Sequence, residues 1–526
     1  MPFNPKILLS PTRKLKRLTF QDRCVEESLE TLRSERGVLL KLGTGLGKSI
    51  ISSRIARTLI EQNLVTLPED SFNPQPGLII CPKGIKIQWR EVLTELGLHK
   101  AIAVISYGEL ANSRGSLYIH WRKATSESEP FAEMPEWDRE MLPAFIIIDE
   151  CQFIRKATAQ RTEIARAIPQ EVKVILMSAT PFQTVSEARI AMELLGVRGD
   201  FNTLPCNRDT SATIASAIAH PSSPDVLVTA SMERLRDYLT NGPARYQIEA
   251  PHARYPTKCA YNIQTFQLTQ KQFKWYEDSY QRYLDEKNRS EHNGMAAVMV
   301  ALNKLFEGAE ILSARILCQT ALDAVARGRQ VIIAHCHKLT QQQIAITGLR
   351  DKYGFDISRF GAINGDNTPE ENQRTKTRFN NGELDIITLA AGAGAEGLNL
   401  AHNNDSGRPR TIICPPWWSA IKLAQILGRI HRIDSISDAE VFILYPARTI
   451  FSERVMPRVA LRLKCLKAAA LAKESWMSFL DAESSEDGSA TSEATGDNEE
   501  EVDELGEGLD AEEVKIVDEI KLGGAE

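Results

Sequence analysis

No apolar run in this sequence approaches the roughly 18 residues that a membrane-crossing helix needs. The N-terminal stretch has only Ile7-Leu8-Leu9 as an apolar centre, too short for a signal peptide. Five basic residues precede its first acid, Asp22, but prolines interrupt any amphipathic targeting helix. The expected setting is therefore inside a cell, in cytoplasm, nucleoid or nucleus, without a membrane. Cysteine pairs are missing too. The nine cysteines are scattered, odd in number and without a Cys-x-x-Cys, which argues against a disulfide framework or a zinc site. Cys81, Cys151 and Cys414 lie in or beside apolar runs and read as small buried hydrophobes. No internal repeat of solenoid period is present.

Charge is unevenly spread. The 526 residues carry 63 Lys and Arg against 69 Asp and Glu, a net of −6. Residues 481–526 hold 18 acids and 2 lysines, a net of −16. By subtraction, residues 1–480 carry 61 bases and 51 acids, a net of +10. A basic body fits a polyanionic partner. The tail has few aromatics and cannot bury enough apolar surface to order itself. It reads as a solubilising segment, as a DNA mimic folding back on the body, or as a landing site for a protein partner.

Two stretches alternate short apolar strands with helical patterns, the signature of α/β lobes built on doubly wound parallel sheets. The first lobe is assigned to 15–195, with strands in "GVLLKL", "GLIICP", "AIAVIS", "AFIIID" and "KVILMS". The second is assigned to 311–470, with "QVIIAH", "DIITLA", "RTIICP" and "AEVFILY". Strands so uniformly apolar are covered on both faces. Residues 196–310 read as a mostly helical insert and linker, followed at the far end by the acidic tail, 481–526. In the insert, Phe273, Tyr276, Tyr280 and Tyr283 recur at helical spacing, which reads as core packing rather than base stacking.

"KLGTGLGKSI" (41–50) joins a strand to an amphipathic helix, the context a phosphate-binding loop requires. It departs from G-x-x-x-x-G-K-[ST] at Leu42. Thr44, Gly45, Gly47, Lys48 and Ser49 form the nucleotide-holding set. The glycines admit close backbone approach, the helix start supplies positive potential, Lys48 reaches the β- and γ-phosphates, and Ser49 ligates Mg²⁺. "AFIIIDECQ" ends an apolar strand in Asp149-Glu150. Asp149 is the second metal-side group, and Glu150 the base that orients and deprotonates a water. In "QILGRIHRID", Arg429 and Arg432 lie one turn apart and suit a triphosphate approached from the other lobe. In "AGAGAEGLNL", glycines such as Gly394 permit close approach to a ligand.

Taken in order, the loop, Asp-Glu-x-Gln, "SAT" (178–180) and Gln-x-x-Gly-Arg-x-x-Arg resemble superfamily two helicases and translocases, which tolerate a leucine at the position of Leu42. The resemblance implies two tandem RecA-like lobes, ATP and Mg²⁺ as cofactors, and Gln425 at the nucleotide. It also implies that Gln21 of "FQ" reads adenine, its amide meeting donor and acceptor. "LIICPKGIKIQWREVL", "VISYGEL", "YPTKCAYNIQTFQLTQKQ" and "PPWWSAIKLAQILGRIHRID" resemble Swi/Snf-type double-strand translocases more closely. That likeness covers about residues 15–450 and implies duplex DNA as partner, with Pro82, Lys83, Tyr107 and the His335–His337 region along its backbone. "DECQ" stands where that group has "DEAH", and the insert is short. The expectation is a monomeric ATP-dependent motor on nucleic acid. The alternatives are a strand-separating DNA or RNA helicase and a nucleic-acid-binding scaffold with an inactive motor.

Overall fold

The computed structural model describes Leu9, Met477 and residues 18–112, 116–125, 133–155, 159–197, 224–242, 244–250, 255–390, 398–416 and 419–470. The acidic tail lies outside the described residues.

Eight strands belong to the first half: β1 (Gly37–Lys41), β2 (Gly77–Cys81), β3 (Ile102–Ser106), β4 (Ile119–Lys123), β5 (Glu133–Trp137), β6 (Phe145–Asp149), β7 (Lys173–Ser178) and β8 (Gln247–Ile248). Six form a parallel sheet in the order β3-β2-β6-β7-β1-β8, while β4 and β5 pair as an antiparallel hairpin. The second sheet comprises β9 (Cys259–Phe266), β10 (Gln330–His335), β11 (Phe360–Ile363), β12 (Ile386–Ala390), β13 (Arg410–Cys414) and β14 (Ala439–Pro446). Its order is β11-β12-β10-β13-β14-β9, parallel throughout. The nine apolar runs expected to be strands are all strands.

Each sheet is covered on both faces because successive side chains of a strand point to opposite sides. In β1, Leu39 enters one core and Val38 and Leu40 the other. The second sheet divides its core in the same way, with Ile332 on one face and Val331 and Ile333 on the other. Such two-faced burial is what fills these strands with Ile, Leu and Val.

The stretch read as an insert, 196–310, is not separate from the lobes. It gives β8 to the first sheet and β9 to the second. Neither has a uniformly apolar run. β8 is only two residues long, and β9 is an edge strand with Ile263 alone buried. The aromatic stripe of the helix Gln270–Asn288 is packing. Tyr276 is 4% exposed, its hydroxyl accepts from Ile450 N at 2.6 Å, and Phe273, Tyr280 and Tyr283 flank the same core.

The helix Met456–Ala468 ties the halves together. Val459, Leu463 and Leu466 enter the core of the second lobe, whereas Cys465 and the adjoining Ala469 enter that of the first. Arg236 Nη1 of the first lobe donates to Ala468 O at 3.1 Å.

Leu42 follows from this packing. It is fully buried among Leu40, Leu46, Ile51 and Ile55, and its backbone does not adopt the left-handed region. The position needs an apolar side chain rather than conformational freedom. Leu42→Gly, which would restore the general loop pattern, is expected to destabilise the first lobe by roughly 2–5 kcal/mol, read as a lower denaturant midpoint.

Candidate functional site

Three neighbouring strands deliver the candidate residues to one edge. Lys41 at the end of β1 is in register with Ser178 at the end of β7, and Asp149 at the end of β6 is in register with Met177. The strands are parallel, so these ends share the carboxyl edge of the sheet, where α/β folds place ligands.

After β1 the chain turns through Leu42–Gly47 into the helix Lys48–Glu61. Gly45 and Gly47 both sit at φ 83, a left-handed setting that glycine takes without steric cost. Gly47 has a second reason to be glycine: a Cβ there would fall 2.6 Å from Gln21 Nε2. Gln21 is 5% exposed and donates to Leu46 O at 3.2 Å, so it braces the loop from the helix Thr19–Ser34. Lys48 Nζ donates to Leu42 O at 2.9 Å and Gly43 O at 3.3 Å, curling back over the loop. Thr44 is 7% exposed and Ser49 is half-buried.

Asp149 and Glu150 are 4% and 7% exposed. Asp149 Oδ2 accepts from Trp89 Nε1 at 2.8 Å, and Oδ1 accepts from Glu150 N at 2.9 Å. Burial, then the adjacent Glu150 charge, pushes the Asp149 carboxyl up to about 7, against the pull of Trp89 and Lys48. Glu150 takes the left-handed backbone at φ 53, rare for a residue with a side chain and costing of order 1 kcal/mol. Its Oε2 accepts from Gln152 Nε2 at 2.8 Å and from Gln425 Nε2 at 3.2 Å. Gln152 Oε1 in turn accepts from Ser178 Oγ at 2.6 Å, and Ser178 Oγ accepts from Thr180 N at 2.9 Å. The chain of contacts runs from Thr180 through Ser178, Gln152 and Glu150 to Gln425 in the other lobe.

The second lobe supplies the opposite wall. Arg429 is 3% exposed, and its Nη1 donates to Leu398 O at 3.4 Å; Arg432 Nη2 donates to the same carbonyl at 2.7 Å. Burial and the neighbouring Arg429 bring the Arg432 pKa down to about 10. The aliphatic stem of Arg432 packs on the loop of the first lobe: a Cβ on Gly45 would fall 2.8 Å from Arg432 Cγ. Beside it, a Cβ on Gly428 would fall 2.0 Å from Thr44 Oγ1. Both glycines are required by close approach of the lobes.

Of the residues expected at a nucleotide, Gln21, Thr44, Gly45, Gly47, Lys48, Ser49, Asp149, Glu150, Gln425, Arg429 and Arg432 line or brace this one cleft. Gly394 lies outside the described residues. The residues expected along a nucleic-acid backbone do not share one surface. Lys83 is exposed just beyond β2, with Pro82 buried behind it. Tyr107 instead props the acid pair, its hydroxyl donating to Asp149 O at 2.7 Å and its ring 5.4 Å from Phe153. His335 is 1% exposed, with Nδ1 3.0 Å from His337 O, so burial removes it from any surface a polymer could reach. Trp89, Gln152 and Ser178 also belong to the site. Their signal in the sequence is membership of the motifs "LIICPKGIKIQWREVL", Asp-Glu-x-Gln and "SAT", none of which assigns them a contact.

Residues 313–434 match the family described as helicase conserved C-terminal domain, a range that contains Gln425, Gly428, Arg429 and Arg432. The match covers most of the second lobe and none of the first. No curated protein matches the chain. Among solved structures, the chain is similar to the Sulfolobus solfataricus SWI2/SNF2 ATPase core in complex with dsDNA. Identity is 16%, coverage is 91% of this chain and 98% of that one, and the TM-score is 0.33. A likeness that loose says nothing of what this chain binds.

Two outcomes follow from the geometry. Gln152→Ala strips an amide from both Ser178 and Glu150, and is expected to cost roughly 1–3 kcal/mol in denaturant unfolding. Asp149 sets a pH dependence. Folded, it keeps a proton that the unfolded chain releases. Its contribution to stability is therefore full below the ordinary aspartate range and is lost as pH rises through about 7. In chelator, the chain is expected to lose denaturant resistance between about pH 4 and pH 7, the interval from the ordinary aspartate value to the raised one. Asp149→Asn should flatten that loss.

Proposed function

We propose that this helicase-family chain is an ATP-driven motor that moves on duplex DNA, with hydrolysis in the cleft between its two lobes. One observation carries the reading: the phosphate-loop geometry of the first lobe is capped by Arg432 of the helicase C-terminal domain, while Gln425 of that domain reaches Glu150. Both halves of the cleft come from one chain, so a monomer suffices.

The residues fit a magnesium–triphosphate group. Asp149 is a buried carboxylate whose charge is poorly compensated, as its raised pKa records, and a divalent cation would relieve it. Among the described residues no cluster of three or more His, Cys, Asp or Glu side chains could hold a metal. Mg²⁺ takes one or two protein ligands and relies on phosphate oxygens and water, so Ser49 and Asp149 would suffice on the protein side. Bound MgATP supplies the γ-phosphoryl group whose transfer to water releases the energy.

Each side chain then has a part. Lys48, at the start of its helix, leaves the loop carbonyls to meet β- and γ-phosphate oxygens. Ser49 and Asp149 would hold the metal, a Lewis acid that draws charge off the phosphate oxygens. Glu150, oriented by Gln152 and Gln425, positions a water and takes its proton. Arg429 and Arg432 neutralise charge on the departing phosphoryl group, and because they sit on the other lobe, turnover requires closure. Lys83 meets backbone phosphate without reading bases, as suits a motor indifferent to sequence. The preference for duplex rests on the Swi/Snf-like motifs of the sequence.

The test is ATPase activity measured with duplex DNA, single-stranded DNA and RNA in parallel. Strongest stimulation is expected from duplex. Stimulation by a single strand alone, with fork unwinding, would replace translocation with strand separation. A rate that no nucleic acid changes would overturn the motor reading. Arg432→Ala is expected to cut stimulated turnover about 10³-fold or more, the range seen when an arginine finger is removed. Lys48→Ala with full stimulated activity would remove the cleft from the mechanism.

A further inference from the structure

His431 stands between the two arginines of the cleft and is 3% exposed. Its ring stacks on Tyr255, with centroids 4.9 Å apart and planes inclined by 26°. Its Nε2 lies 2.8 Å from Thr257 O. A carbonyl only accepts, so Nε2 carries a proton and donates it there. Tyr255 and Thr257 belong to the passage of chain between β8, in the first sheet, and β9, in the second. His431 therefore grips the connector between the lobes.

The same short turn is anchored on its other sides. Arg432 N donates to Ser435 Oγ at 2.8 Å, and Leu400 N donates to Arg429 O at 3.2 Å. The connector is anchored too: Lys258 N donates to Asp438 Oδ1 at 2.8 Å, and Lys258 O accepts from Ala439 N at 2.9 Å. From Tyr255 onward, then, the connector and the arginine turn are parts of one body. At its far end that body carries the Arg432 side chain onto Gly45 of the phosphate loop.

We infer that His431 is a positioning residue that transmits the setting of the interlobe connector to Arg432. It fixes the turn on which Arg432 rides, so that rotation of the lobes about the connector brings the guanidinium onto the loop or takes it away. This rests on the motor reading above, in which Arg432 acts on phosphate only in the closed setting. Two contacts make the grip, a ring stack and a hydrogen bond, and they can be removed separately.

The experiment compares His431→Ala, His431→Gln and Tyr255→Ala, with the His431→Ala/Tyr255→Ala double variant, by duplex-stimulated ATPase kinetics. His431→Ala and Tyr255→Ala are each expected to lower kcat about tenfold while KM for ATP stays within about twofold, the signature of an interaction made only in the transition state. The double variant should be no slower than either single one, because both break one linkage. His431→Gln keeps a donor for the Thr257 carbonyl and should recover most of the loss. Unchanged kcat with only a lowered melting temperature, or losses that multiply in the double variant, would overturn the inference.

If the wild-type chain has no ATPase, the motor reading fails and amide hydrogen exchange decides the linkage alone. Tyr255→Ala should then raise exchange at 428–435 and 43–47 together. A rise confined to the connector would overturn the inference.

Discussion

Two carboxylates buried side by side at the edge of the first sheet are the constraint around which this molecule is arranged. An ionised carboxylate out of water costs several kcal/mol unless donors or counter-charges meet it. Trp89, Gln152, Gln425 and the backbone N–H of Glu150 are aimed at the Asp149-Glu150 pair from three helices or turns and from both lobes. Those donors explain local features that otherwise look arbitrary. Glu150 accepts a left-handed backbone because its side chain is then delivered to two amides. Ser178 ends its strand with a hydroxyl that fixes the Gln152 amide the right way round. The glutamine in "DECQ" is thus the central member of a relay, able to accept at one end and donate at the other, which a carboxylate could not do.

The two lobes meet through contacts of unlike kinds. The helix Met456–Ala468 contributes apolar side chains to both cores, a broad and durable attachment. At the cleft the polar contact of Gln425 with Glu150 lies beside close approaches at glycines 45 and 428, where there is no room for a methyl group, and Ile433 packs against the first core. Apolar burial keeps the lobes together while the polar contacts can be exchanged for a ligand's. That division suits a machine that must open and close without coming apart.

The sheets were legible because a strand covered on both faces must be apolar throughout, and nine runs such as "FIIID" and "QVIIAH" carry that mark. The strands without it, β8, β9, β11 and the β4–β5 hairpin, are edge or paired surface strands whose composition follows solvent and neighbours rather than a double-sided core. The cleft was legible residue by residue wherever a residue type is demanded by chemistry, as with Lys48, Asp149, Glu150 and Arg432. The relay was less so. Ser178 and Gln152 are common residues, and only the folding of β6 beside β7 makes them partners. Exposure was not legible at all for Tyr107 and His335, since a tyrosine or histidine after a strand reads alike whether it turns outward or under the sheet.

The leucine that breaks the phosphate-loop pattern and the charges that surround the loop answer to one logic. Leu42 is where the loop is still part of the core, so the core dictates its identity. Two residues later, the loop belongs to the cleft. There one wall holds a carboxyl pushed above its ordinary range by burial beside another acid. The other holds a guanidinium brought below its own by burial beside a second arginine. Each wall is strained by like charge, and no single ion of either sign relieves both. A group that is cationic where it meets Asp149 and anionic where it meets Lys48 and Arg432 relieves the two together. A metal-bound polyphosphate has that polarity, and the more closely the walls approach, the more each wall gains. On the proposed motor reading, binding then favours closure, and loss of the terminal phosphate assigned to Arg432 would remove much of the reason for the lobes to stay closed.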